Sequence, residues 1–284
     1  MKPAKSNYHG FAGFLVYERY FWPQLYNFSK KNVISHNKPK VDTMKNTAIK
    51  ILSLILISLG SFAQTADEIF GKHIEATGGK ALWDGISTYS IKQAYRGNSA
   101  ADYDIELKGS FGEAALYKGK TILKRTFIYG VKGTDGWRKV PLGSSDKATQ
   151  YETNTLSDKE QENMRRELKE NILPFLDYQT KGYIATVVGS ETINNVKTTH
   201  VELSGKGVKY NLYFDETTGL LTRKKLTLST GEVITEDYTK YGDTAYGVKF
   251  PTESTYLSSI DKRNLKVTTS VIFNDKIAPE YLNK

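Results

Sequence analysis

Three stretches of this chain alternate apolar and polar side chains with a period of two, and nothing else in the sequence restricts the fold as much. Tyr103, Ile105, Leu107 and Phe111 alternate with Asp104, Glu106, Lys108 and Ser110. Val208, Tyr210, Leu212 and Phe214 alternate with Lys209, Asn211, Tyr213 and Asp215. Leu265, Val267, Val271 and Phe273 alternate with Lys266, Thr268, Ser270 and Ile272. Successive side chains of a strand point to opposite faces, so each stretch reads as a half-buried strand of an antiparallel sheet. Shorter or two-sided candidates are 88–95, 121–129, 183–188, 199–203, 220–228, 232–241 and 248–257. Hairpin signals lie between them at Thr134-Asp135-Gly136, Gly205-Lys206-Gly207, 215–219 and Thr230-Gly231. About ten strands with such short connections form a meander, and a sheet that large must curl or close.

Two segments break the pattern. Thr65-Ala66-Asp67-Glu68 is a capping box that starts a helix carrying Ile69, Phe70, His73 and Ile74 on one side. Gly78-Gly79 ends it, and Lys80 to Asp84 can add one more turn. Ser157-Asp158-Lys159-Glu160 is a second capping box, and Pro174 marks the stop. Between them Met164, Leu168 and Ile172 form one narrow apolar stripe on a charged helix spanning 157–173. Such a helix can lie as a lid across the concave face of a curved sheet.

Residues 44–63 read as a secretory signal peptide. Lys45 and Lys50 form a basic start, an uncharged apolar run follows from Ile51, and Ser61 and Ala63 flank Phe62 in a cleavage pattern. The uncharged run is too short for a spanning helix, which needs roughly 20 apolar residues. Cleavage is expected between Ala63 and Gln64, with export to the periplasm. Residues 1–43 are then either an upstream start assigned in error or a disordered leader. Residues 64–284 form the expected single domain. Residues 1–63 hold nine Lys/Arg and two Asp/Glu, so 64–284 carry only +2 of the chain's +9. That small, interspersed excess argues against a nucleic-acid partner.

Catalytic chemistry is not legible. The chain has no cysteine, which excludes a disulfide framework, a thiolate nucleophile and a Cys-ligated metal. His73 and His200 are the two histidines after residue 63, and neither has a second histidine at metal-ligand spacing. There is no G-x-S-x-G elbow, no Walker A motif and no G-x-G-x-x-G between a strand and a helix; Leu142-Gly143-Ser144-Ser145 reads as a loop. No catalytic residue, metal or cofactor is expected.

Several short motifs resemble a known family. They are 73–79 (HIEATGG) with Leu82 and Ile86 behind it, Asp135-Gly136-Trp137, Asp177-Tyr178 with Lys181-Gly182, and Tyr213-Phe214-Asp215 with Thr218-Gly219-Leu220. Asp237-Tyr238, 247–251 (GVKFP) and the final 271–277 strand complete the set. Over residues 65–284 the chain is similar to the outer-membrane lipoprotein-sorting proteins of LolA/LolB-like fold found in Bacteroidetes-type bacteria. The resemblance implies an α+β fold: a curved, unclosed antiparallel β-barrel wrapped around an N-terminal helix and an inserted lid-like helix, with an apolar cavity for lipid acyl chains. The HxxEH motif of zinc peptidases that accompany the family is absent.

A cavity is therefore expected between the charged helix and the concave sheet face. Its expected lining is drawn from Leu107, Phe111, Leu123, Phe127, Met164, Leu168, Ile172, Leu212 and Phe214. The leading reading is a monomeric, non-catalytic periplasmic carrier of lipid or lipoprotein acyl chains, at most peripheral to the membrane, with other envelope proteins as further partners. An envelope interaction module with a filled core is the alternative, and a hydrolase with unrecognised carboxylates is a third.

Overall fold

The computed structural model describes residues 64–99, 101–143 and 150–284. The signal segment, the leader and the Ser144-Ser145 loop lie outside the described residues. Helix α1 (Ala66–Ala76) starts at its expected cap: the Thr65 hydroxyl accepts from the Glu68 N–H at 3.2 Å, and the Thr65 N–H donates to the Glu68 carboxylate at 2.9 Å. Gly78 and Gly79, at φ 126° and 88°, turn the chain into α2 (Lys80–Asp84). Helix α3 (Asp158–Glu170) uses the Ser157/Glu160 capping box. It stops at Glu170, three residues short of the expected end. Pro174 disfavours helical backbone at Leu173. The Lys181 ammonium seals the end instead, donating to the carbonyls of Lys169 and Leu173 at 3.1 Å each. A last turn, α4, covers Pro279–Leu282.

The strands are β1 (Thr88–Arg96), β2 (Tyr103–Ser110), β3 (Ala115–Ile122), β4 (Arg125–Lys132), β5 (Asp135–Leu142) and β6 (Gln150–Thr155), then β7 (Ile184–Ile193), β8 (Val196–Gly205), β9 (Val208–Asp215), β10 (Leu221–Thr227), β11 (Val233–Asp243), β12 (Lys249–Ser258) and β13 (Asn264–Phe273). They form one antiparallel sheet in the order β6-β5-β4-β3-β2-β1-β13-β12-β11-β10-β9-β8-β7. Two consecutive meanders, β1–β6 and β7–β13, are thus stitched together by the pairing of β1 with β13, from Tyr89↔Phe273 to Arg96↔Lys266. The sheet stays open between β6 and β7, and the segment carrying α3 joins those two free edges.

The curved, unclosed α+β architecture is present, but with thirteen strands rather than about ten. The expected strand at 121–129 does not exist. Leu123 and Lys124 sit at φ 50° and 62°, a two-residue turn between β3 and β4 with Ile122 paired to Arg125. Both residues are in the left-handed region that Asn and Gly normally occupy, so the composition hides the turn. Strands β3, β5 and β6 were hidden for related reasons: β3 and β5 hold Lys and Gly or Pro among their apolar residues, and β6 is polar apart from Tyr151.

The buried face of the sheet packs on the helices. Phe70 of α1 stacks on Phe175 at 4.7 Å and meets Phe214 of β9 edge-on at 5.8 Å. Trp83 of α2 is 2% exposed, meets Phe273 edge-on at 6.2 Å and donates from its indole to the Thr77 hydroxyl at 3.0 Å. Helix α3 touches both halves of the sheet, which shows how far the sheet has curled. On one side Lys118 of β3 pairs with Glu167 at 2.9 Å, and the Tyr89 hydroxyl of β1 donates to the Leu168 carbonyl at 3.1 Å. On the other, Tyr210 of β9 and Tyr183, just before β7, both donate to Glu170.

Candidate functional site

A cavity of about 400 Å³ lies between the end of α3 with its following turn and the inner face of the central strands. That volume falls within the range of small-ligand sites, roughly 300–1,000 Å³. Strands β1 and β2 contribute Ile91, Ile105 and Leu107, and β10 and β11 contribute Leu226, Ile234 and Tyr238. Ile172, Leu173 and Pro174 close it from the helix side. Tyr95 and Tyr103, stacked at 4.6 Å, and Tyr256, edge-on to Tyr95 at 5.3 Å, also border it.

The structure distributes the nine expected lining residues over several places. Leu107 and Ile172 border this cavity. Met164, Leu168 and Leu212 are buried in the core and do not line it. Phe214 is core as well, and it borders a second opening of about 440 Å³ between α1 and strands β7–β9. Phe111 is half-buried, 5.9 Å from the Tyr89 ring. Phe127 is half-buried on β4 under the Arg125 guanidinium. Leu123 is 66% exposed at the β3–β4 turn, so it cannot line a cavity. The apolar stripe of α3 is therefore core packing, and the helix offers the cavity Arg166, Glu167 and Glu170 instead.

Six of the charged side chains on the cavity wall form three ion pairs, while Glu232 and Lys249 of the same wall form none among the described residues. Arg166 meets Glu170 at 2.7 Å, Lys118 meets Glu167 at 2.9 Å, and Lys224 of β10 meets Glu236 of β11 at 2.9 Å. The Tyr238 hydroxyl adds a bond to Glu236 at 2.7 Å. Lys224 and Glu236 are direct cross-strand partners facing inward, which is why β10 and β11 show no clean alternation. Pairing offsets the desolvation of those six charges in a poorly solvated wall. Burial, together with the Glu170 carboxylate to which they donate, pushes the Tyr183 and Tyr210 phenols well above their usual range. They act as fixed donors rather than acids.

The two histidines hold structure. His73 is 2% exposed, and its Nδ1 lies 3.1 Å from the Gly219 carbonyl oxygen and 3.2 Å from the Leu221 N–H, tying α1 to the start of β10. Burial pushes its pKa down to about 4. His200 stacks on Tyr213 at 4.4 Å, with Nδ1 3.0 Å from Glu191 and Nε2 2.9 Å from Asn211, on the sheet face opposite the buried Val201 and Leu203. Among the described residues no group of three or more His, Cys, Asp or Glu could hold a metal. Among the same residues no helix is long and apolar enough to cross a membrane.

Ile105 was not among the expected lining residues, although its alternation with Leu107 marks the same strand face. Leu226 and Ile234 were masked by the inward charged pair beside them, and Arg166 by its place on a helix that reads as solvated.

No protein-family model matches the chain, and no curated protein matches it. Solved structures do. A LolA superfamily protein from Nitrosomonas europaea is 16% identical, with 78% of this chain and 99% of that chain covered at a TM-score of 0.47. A putative outer membrane lipoprotein-sorting protein domain from Vibrio parahaemolyticus is 12% identical, with 75% and 94% covered at 0.45. A DUF1329 family protein from Desulfovibrio piger is 10% identical, with 76% and 95% covered at 0.47. The fold assignment of this chain rests on its own strand order and pairing.

Proposed function

We propose that the protein is a non-catalytic carrier that holds a lipid or lipoprotein acyl chain in the periplasm. One observation carries the reading: the cavity of about 400 Å³ beneath the end of α3, walled by aliphatic side chains from both halves of the curled sheet. Burial of an acyl chain there would contribute roughly 0.8 kcal/mol per methylene. The motif resemblance supports the same ligand class, and the signal-peptide pattern of residues 44–63 supports the compartment. A filled-core interaction module fits less well, because a core of that kind has no use for the space. One feature does favour a protein partner as well: β7 is a ten-residue free edge with Ile184 72% and Val188 56% exposed.

The test is direct. Native mass spectrometry of protein purified from the envelope fraction should show a co-purifying amphiphile. A neutral fluorescent probe, N-phenylnaphthylamine, should bind and be displaced by fatty acids. Ile105→Trp should fill the cavity and abolish probe binding while the protein still unfolds cooperatively. Probe binding that survives Ile105→Trp unchanged would place the ligand elsewhere and end this reading of the cavity.

A further inference from the structure

We infer that Arg166 anchors the head of the bound amphiphile and that this head is a carboxylate. The inference rests on the acyl-chain reading above and gives it a ligand class and an orientation. Arg166 and Glu170 lie one helical turn apart, with side chains only 8% and 5% exposed. Glu170 is saturated: it accepts from Arg166 Nη1 at 2.7 Å, from the Tyr183 hydroxyl at 2.5 Å and from the Tyr210 hydroxyl. Its charge is thus shared among three donors, two of them neutral. Arg166 is not saturated in return. Its bonds run from Nη1, to Glu170 and to Tyr210 at 3.3 Å, while its Nε is buried with no partner.

A guanidinium carries five N–H donors in a planar fork, and its Nε–Nη2 edge matches the two oxygens of a carboxylate. Native proteins rarely leave a buried donor orphaned, and this Nε adjoins an Nη2 that makes no bond among the described residues, on a residue bordering the cavity. The other cations of the wall fit the role less well. Lys118 and Lys224 are each satisfied by one carboxylate, and Lys249, which pairs with no carboxylate among the described residues, is like them a point donor without a fork. Asn171, also on the cavity wall at the end of α3, already donates to the Tyr89 hydroxyl at 3.2 Å. The remaining wall, with Ile105, Leu226 and Ile234, is aliphatic and suits the chain.

Displacement of N-phenylnaphthylamine by dodecanoate, methyl dodecanoate and dodecyl phosphate tests this. The wild-type protein should bind dodecanoate at least about tenfold more tightly than the methyl ester, the scale of a charge-assisted bond. Arg166→Gln should remove that preference, so that acid and ester bind alike. Arg166→Lys, which keeps the charge but loses the fork, should recover only part of it. Should Arg166→Gln fail to fold, Arg166→Gln with Glu170→Gln removes both charges together and must show the same loss. Equal binding of acid and ester by the wild type, or a preference that survives Arg166→Gln, overturns the anchor while leaving the acyl-chain reading standing. Tighter binding of the phosphate overturns the carboxylate. Binding of none of the three overturns both readings.

Discussion

His73 is a structural residue, its buried ring tying α1 to the start of β10. It sits among Phe175, Phe214 and Tyr241, with ring centroids 5.3, 5.6 and 6.4 Å away. Desolvation there penalises the imidazolium, and the Gly219 carbonyl offsets only part of it, so the pKa falls to about 4. In the unfolded chain the ring titrates near its ordinary value of about 6.5. Its folded pKa is the lower of the two, so the stability it contributes is present above about pH 6.5 and is lost as pH falls toward 4. At about 1.36 kcal/mol per pKa unit, the full loss is about 3 kcal/mol. Urea unfolding of wild type and His73→Gln from pH 7.5 to pH 4 should show the wild type losing stability more steeply by about that amount. Parallel curves would mean that the buried ring is not neutral.

At the scale of the element, the β3–β4 hairpin carries an avoidable strain. Leu123 and Lys124 both sit at positive φ, and left-handed backbone costs an L-residue roughly 1–2 kcal/mol. Neither side chain is tied into the core, since Leu123 is 66% exposed and Lys124 is exposed too. Replacing the pair with Asn-Gly should therefore stabilise the protein by about 1 kcal/mol, a rise of roughly 2–4 °C in Tm for a domain of this size. A lower Tm would show that Leu123 contributes more where it is than its exposure suggests. The stripe of α3 shows the opposite case. Met164 and Leu168 look like the apolar edge of a lid, yet both are core, because the helix is held down from both sides of the sheet.

At the scale of the whole molecule, the strand order puts the first and last strands at the centre of the sheet and the middle strands at its edges. Strands β1 and β13 pair in the middle with Tyr89 and Leu265 fully buried, whereas edge strand β6 has no buried residue. Local opening follows burial and unshared backbone bonds, so β6 should open first. Hydrogen–deuterium exchange should find the slowest amides in β1 and β13 and the fastest ladder amides in β6. Comparable protection across all thirteen strands would mean that the sheet opens only as a unit.

Local pattern alone determined the two capping boxes, the α1–α2 break at Gly78-Gly79, the half-buried strands and the antiparallel, curled class of the fold, because period, caps and turn residues act within a few positions of the chain. It could not reveal the Leu123–Lys124 turn, where pairing across the hairpin overrides backbone preference. Nor could it separate core from cavity. Leu168 and Ile172 have the same apolar spacing, yet one packs in the core and the other borders the void, and only the path of the chain past Pro174 decides which. Arg166 belongs to the same class. Its sequence neighbours mark a solvated helix face, and it is the curl of the sheet, bringing Tyr183 and Tyr210 around to Glu170, that buries the guanidinium against the cavity.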